Sequence, residues 1–312
     1  MTMAAVVLEP VVSYAHATVM RAELVQLLAP RAGGLYLDCT AGGGGHTEEI
    51  LESNGLAQVI ASDCDSAALT ACGVRLAQYG DRLTLWQARF DQLAQRLEAV
   101  GIRHVDGLVA DLGVSSHQLD DPSRGLSFRL EGPLDMRMNP EAGPTALELI
   151  AQSQVDDLAD LIYHFGDERR SRRIAKCIKQ AQVARELRTT LDLRRAVVRA
   201  VGPRRVGGID PATRTFQALR IAVNGELEQV AGLLQTASRL VAPGGTAVFI
   251  SFHSLEDRLV KRAFADAVIW ERKTRKPLVP SAAEQSLNPR SRSAKLRAAT
   301  RVVRAVDPSG EE

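Results

Sequence analysis

Cysteine is scarce in this chain. Cys39, Cys64, Cys72 and Cys177 are the four in 312 residues, and no two of them form a C-x-x-C pair. That spacing argues against a structural zinc site and against a disulfide framework, and it points to a reduced, cytoplasmic protein. Long apolar runs are missing as well. None approaches the roughly 20 residues that a membrane span requires. The N-terminus lacks the basic region and apolar stretch of a secretory signal, so no membrane partner is expected. No internal repeat is evident. What remains is ordinary for a soluble globular protein, with 45% hydrophobic and 24% charged residues. The length suits one large core, or a core with a smaller companion.

Acidic residues are thin in one stretch. Between Arg169 and Arg205 only Glu186 and Asp192 oppose a dense set of arginines and lysines, beginning with Arg169, Arg170, Arg172 and Arg173. A second basic stretch runs from Arg272 to Arg304. A single charge run is usually a solvated helix face. Two of them, with arginine prominent, suit a phosphate backbone, which guanidinium groups neutralise and grip bidentately.

The chain is organised around Leu35 to Thr47. Leu35-Tyr36-Leu37 reads as a buried strand, Gly42 to Gly45 as a tight turn, and Thr47 to Leu51 as the start of a helix. An acid is expected at the end of the next strand, and Gln58 to Asp63 supplies both strand and acid. A dinucleotide site would need a third glycine in G-x-G-x-x-G, but Thr47 or Glu48 falls there. The spacing present is D-x-x-x-G-x-G, from Asp38 through Gly42 and Gly44. It resembles the S-adenosylmethionine (SAM) loop of class I methyltransferases.

The rest of the chain extends the same α/β pattern. A helix over Arg21 to Leu28 precedes the first strand. Leu83 to Phe90 reads as a third strand with Phe90 at its carboxyl end, and His104 to Gly113 as a fourth that delivers Asp111 to the ligand edge. Ser115, Ser116, His117 and Gln118 follow, dense in polar groups. Prolines and glycines make 121–138 a loop, and four helical patterns then fill 139–210. That crossover is far longer than a βα unit needs. It predicts a helical domain over 139–210 inserted into a main domain of 1–138 and 211–312. A long helix begins at Pro211, with its apolar stripe carried by Phe216, Leu219, Val223, Leu227, Val230 and Leu234. Thr246 to Phe252 reads as the fifth strand, with His253 just beyond it. Two last strands are expected around 268–273 and 294–303.

Six collinear motifs add a specific resemblance. They are Asp38 to Thr47, Asp111 to Asp120, Gly132 to Met138, Pro211 to Arg220, Ser251 to Arg258 and Asn288 to Ser293. Together they resemble the RsmH (MraW) family. The resemblance implies a class I fold, Rossmann-like, with a mostly parallel seven-stranded sheet and an inserted helical domain. It also implies SAM-dependent methylation of the N4 amine of a cytidine in 16S ribosomal RNA, in the decoding region of the small ribosomal subunit. By the family pattern, Gly44, Gly45, His46, Asp63, Phe90, Asp111 and Gln118 bind SAM. No metal is expected. The segment before His16 departs from the pattern and inherits no role.

At the fourth-strand exit, Asp111-Leu112-Gly113-Val114 stands where many amino-methyltransferases have D/N-P-P-Y/F. The roles of that motif therefore do not transfer. Asp111, Asp135 and His253 are the candidate catalytic residues, converging on one sheet edge. Two other readings stay open from sequence: a non-catalytic RNA-binding protein that keeps SAM as a ligand, and a NAD-dependent oxidoreductase, disfavoured by the missing glycine. The oligomeric state is open too, with a dimer among the options.

Overall fold

The computed structural model describes residues 18–203 and 208–303. His16 with the segment before it, Arg204, Arg205 and Arg304 lie outside the described residues. Seven strands form one sheet: β1 (Leu35–Asp38), β2 (Gln58–Asp63), β3 (Leu83–Gln87), β4 (Val105–Asp111), β5 (Val241–Ser251), β6 (Trp270–Arg272) and β7 (Lys295–Arg301). Their spatial order is β3-β2-β1-β4-β5-β7-β6. The first five are parallel, and β7 runs antiparallel to β5 and β6. This is the class I methyltransferase sheet that the motifs implied. The order reverses between β1 and β4, so the strand ends open a crevice there, the usual place for a ligand in such folds.

Successive side chains along the central strands point to opposite faces, and both faces are buried. Leu37, Ile60, Leu108, Ala247 and Phe249 face a core shared with helices Phe90–Ala99 and Glu226–Leu240. Tyr36, Val59, Val109, Val248 and Ile250 face the other core, with helices Arg21–Leu28, Gly45–Ser53 and Ser66–Arg75. Both faces of the sheet are thus covered, which explains why the strands read as nearly continuous apolar runs. Each leucine or isoleucine so buried contributes about 1.5–3 kcal/mol, and the strand ends are fixed accordingly.

A third core lies in the β4–β5 crossover. Helices Ala146–Gln152, Val155–Gly166, Ser171–Val183 and Thr190–Val201 bury Ile150, Leu158, Ile162, Ile174, Ile178, Leu193 and Val197 against one another. The same core takes Leu126, Leu134 and Met136 from the preceding loop, and Phe216 and Leu219 from helix Thr213–Asn224.

Several boundaries differ from those the sequence suggests. The third strand stops at Gln87, and Phe90 begins the next helix, whose start is fixed by Gln92 Oε1 accepting from Arg89 N–H at 3.0 Å. The long helix after Pro211 is two helices, Thr213–Asn224 and Glu226–Leu240. Gly225 separates them with φ 60°, a left-handed conformation that glycine adopts freely. The fifth strand begins at Val241 and runs through Pro243-Gly244-Gly245 rather than starting after them, and β6 is only Trp270–Arg272.

Candidate active site

A cavity of about 630 Å³ opens at the carboxyl ends of β1, β2, β4 and β5. Its floor is the glycine turn. Asp38 is fully buried and holds that turn from beneath: one carboxylate oxygen accepts from Thr40 N–H at 3.0 Å, the other from the Thr47 hydroxyl at 2.7 Å. The Thr40 hydroxyl in turn accepts from Asp111 N–H at 2.7 Å, tying the end of β4 to the turn. Gly42 and Gly44 take positive φ, 47° and 82°. Gly42 and Gly43 line the cavity with backbone. The first acid of the D-x-x-x-G-x-G spacing therefore shapes the loop and faces away from the ligand.

Asp63 ends β2 at the cavity wall. It accepts from Gly42 N–H and Asp65 N–H, both at 2.9 Å, yet burial pushes its carboxyl up to about 6. Asp111 ends β4 in the same condition. Burial pushes its carboxyl up to about 6, and the nearby His46 opposes this only in part. One Asp111 oxygen, Oδ1, is buried without any hydrogen-bond partner among the described residues. His46 donates from Nε2 to the Val19 carbonyl at 2.9 Å, so in the neutral ring Nδ1 carries the lone pair. That nitrogen is 3.8 Å from Asp111 Oδ2, too far for a hydrogen bond.

Gly45, Phe90 and Gln118 also line the cavity, and Phe90 is half-buried there. Gly44 lies one residue inside the turn, against Leu76 and Cys72. Gln118 has a second task. Its amide donates to Asp65 Oδ2 at 2.8 Å while its oxygen accepts from Ser115 N–H at 3.0 Å. Asp65, 2% exposed, also receives Arg124 at 2.8 Å. Arg124 reaches on to the carbonyls of Arg137 and Met138. Asn224 then accepts from Met138 N–H at 2.7 Å and donates to the Met136 and Arg220 carbonyls. A hydrogen-bonded line thus runs round the cavity from Asp63 to Asn224.

Two of the three candidate catalytic residues do not reach the cavity lining. Asp135 accepts from Arg137 at Nε and at a terminal nitrogen, 2.8 and 2.7 Å, and from Arg137 N–H at 3.0 Å. Partial burial works against the anion, but these bonds hold the Asp135 carboxyl below its usual range. His253 is the N-cap of helix Ser254–Ala263. Its Nδ1 accepts from Glu256 N–H at 3.4 Å, and its Nε2 lies 3.2 Å from Glu256 Oε1. Asp111 alone of the three faces the cavity.

The wall opposite the glycine turn holds groups within or beside the Pro211–Arg220 and Ser251–Arg258 motifs to which no role had been assigned. Arg220 pairs bidentately with Glu226 at 2.8 and 2.9 Å, and both line the cavity with Asn224, Phe252 and Glu256. Glu226, His253 and Glu256 bring ligand-type atoms within 4.8 Å of one another, with Arg220 supplying the neighbouring positive charge. Asn224-Gly225, a helix-ending pair, is the signal that could have marked this corner; nothing local marked the pairing of Arg220 with Glu226.

The family model described as the MraW methylase family matches residues 13–302. The chain belongs to the MraW methylase family. It is 59% identical over 287 residues to the ribosomal RNA small subunit methyltransferase H of Sorangium cellulosum (strain So ce56), covering 92% of this chain and 91% of that one. The enzyme of the same name from Synechococcus elongatus (strain ATCC 33912 / PCC 7942 / FACHB-805) is 50% identical over 293 residues, covering 93% and 96%. That of Acidiphilium cryptum (strain JF-5) is 46% identical over 308 residues, covering 92% and 97%.

The cofactor of this MraW methylase is SAM, and the cavity fits it. An unpartnered buried carboxylate oxygen at Asp111 suits a cationic amino group, and bare glycine backbone leaves room for a chain to lie along it. Among the described residues, no helix is long and apolar enough to cross a membrane.

Proposed function

We propose that the protein methylates the exocyclic N4 of a cytidine in 16S ribosomal RNA, in the decoding region of the small ribosomal subunit, and that it does so in the cytoplasm. The observation that carries this reading is the buried Asp111 Oδ1 at the sheet edge, unpartnered among the described residues, in a chain 59% identical over 92% of its length to a ribosomal RNA small subunit methyltransferase H. Asp63 accepts hydrogen bonds from the ribose, Asp111 receives the amino group, and the Gly42–Gly45 turn lies along the methionine chain. When bound, SAM supplies the methyl group as a sulfonium.

A cytosine amine is a weak nucleophile because its lone pair is conjugated with the ring. The chain must therefore supply alignment and acceptors for its two N–H bonds. Asp135 is committed to Arg137, and His253 caps the next helix through Nδ1 outside the cavity lining, its Nε2 without a hydrogen-bond partner among the described residues. The backbone at Leu112-Gly113, which lines the cavity, remains to hold the base. Residues 139–210 serve as the RNA-facing insertion over a methyltransferase domain of 1–138 and 211–312.

The test uses the full chain with methyl-labelled SAM and small subunits from cells lacking the activity, followed by nucleoside analysis of the rRNA. Label in N4-methylcytidine at one site is expected. Label in another nucleoside, or none, overturns the reading.

A further inference from the structure

Away from the cavity, the insertion carries a second concavity. It encloses about 450 Å³ between the end of helix Ser171–Val183 and the start of helix Thr190–Val201, and Arg185, Arg188, Arg195 and Arg199 line it. Two of these are paired, Arg195 with Asp192 and Arg199 with Glu186. The side chains of Arg185 and Arg188 are exposed and make no ion pair among the described residues.

Both free arginines stand where local energetics disfavour them. Helix Ser171–Val183 ends in a Schellman turn, with Glu186 N–H donating to the Ala181 carbonyl at 2.8 Å and Arg185 N–H to Gln182 at 3.0 Å. The residue at its left-handed position is Arg185, φ 60°. Glycine is the usual occupant, because a Cβ is strained there. Arg188 immediately precedes the N-cap Thr189 of the next helix, at the positive end of its dipole. Its backbone N–H is fixed by Asp192 at 3.0 Å. Two adjacent departures from local rules, both placing an unpaired guanidinium over one concavity, are the pattern of a site kept for binding.

We propose that Arg185 and Arg188, backed by Arg195 and Arg199, form a docking cleft for the phosphate backbone of the acceptor RNA. The inference rests on the reading of rRNA as acceptor and adds where the strand is gripped. The cleft differs from the Arg169–Arg173 run, where Arg170 donates to the Val201 carbonyl and Arg172 pairs with Asp160. Because the loop is held at both ends, the guanidinium groups are presented with little backbone entropy left to lose.

The experiment compares wild type with the Arg185→Gly/Arg188→Gln double variant in the full chain. Naked small-subunit rRNA binding is measured as a function of salt, alongside thermal unfolding and SAM affinity. RNA affinity should fall about tenfold, with the salt slope smaller by about 1–2. The melting temperature should hold or rise by about 1–3 °C, since glycine relieves the strained position. SAM affinity should not move. Unchanged RNA affinity and slope would overturn the cleft while leaving the proposed function standing. So would a fall in melting temperature for Arg185→Gly alone, which would make the arginine a structural residue. Loss of binding to assembled subunits but not to naked rRNA would assign the cleft to a protein partner and overturn the RNA assignment. If wild-type protein itself shows no salt-dependent RNA binding, the proposed function fails first.

Discussion

Two sets of carboxylates surround the crevice, under opposite electrostatics. At the strand ends, Asp63 and Asp111 have no arginine or lysine in reach among the described residues, and burial pushes both up to about 6. In the loops and helices beyond, Asp135 is held by Arg137, Asp120 by Arg290, and Asp257 by Arg297 and Lys295. Each of those three carboxyls lies below its usual range. For Asp120 the Arg290 hydrogen bond is the leading cause, while for Asp135 and Asp257 the arginine bonds overcome an opposing burial effect. An acid with too few partners in the free protein is waiting for a ligand; an acid already matched to an arginine is part of the scaffold. By that criterion we propose that Asp111 serves the bound ligand and Asp135 the loop.

The sharpest way to break this contrast is Asp111→Ala. Removing the buried carboxylate should weaken SAM binding by about 10²-fold, the upper range for a charge-assisted hydrogen bond. Calorimetry returning wild-type affinity from the folded variant would end the assignment. Asp63→Ala should cost on the order of 1.5–3 kcal/mol of SAM binding, through the lost ribose contacts. An unchanged affinity there would leave Asp63 as a brace for Gly42 only.

The raised carboxyls also give the contrast a pH signature. SAM binding favours the ionised acids, so affinity should be flat above about pH 7. It should then fall by up to about tenfold per unit below pH 6 for each group that must lose its proton. The sign for folding is the reverse. A carboxyl raised from 3.8 to about 6 contributes stability that is present below 3.8 and lost as pH rises through 6. The ligand-free protein should therefore gain from these two groups on mild acidification, exactly where its SAM affinity declines. An Asp63→Asn variant that keeps the full wild-type pH dependence would remove Asp63 from this account.

The smallest effect should come from the scaffold side. Asp135→Asn leaves one amide oxygen for Arg137 and removes the charge. We expect a melting temperature lower by about 1–3 °C, with SAM affinity within about twofold of wild type. A SAM affinity reduced as strongly as in Asp63→Ala would erase the distinction between the two sets.

Much of the fold was legible because local signals agreed with tertiary ones. Strand β2 ran from Gln58 to Asp63 as read, since an apolar run ended at an acid. The four helical patterns read over 139–210 are four helices, Ala146–Gln152, Val155–Gly166, Ser171–Val183 and Thr190–Val201. Illegible features had a common cause: a periodic pattern that continued through a change of structure. The spacing from Phe216 to Leu234 passes smoothly over Gly225, and only the left-handed glycine reveals the break. Leu83 to Phe90 alternates past Gln87, and the Arg89–Gln92 cap decides where the helix begins. In the site, Asp63 and Asp111 were findable because strand ends locate ligands. Arg220 with Glu226, and Asp65 with Arg124, were not, because their meaning lies in partners that the chain brings together only on folding. Asp135 was the opposite case, with its partner Arg137 just two residues along.

Gly45 touches Thr18 so closely that a Cβ built on it would stand 1.7 Å from the Thr18 hydroxyl oxygen and 2.8 Å from its Cβ. The two positions therefore cannot drift independently. Any side chain at 45 requires Thr18 to give way, so the start of the described chain and the floor of the crevice are sterically tied, and a change at one is felt at the other.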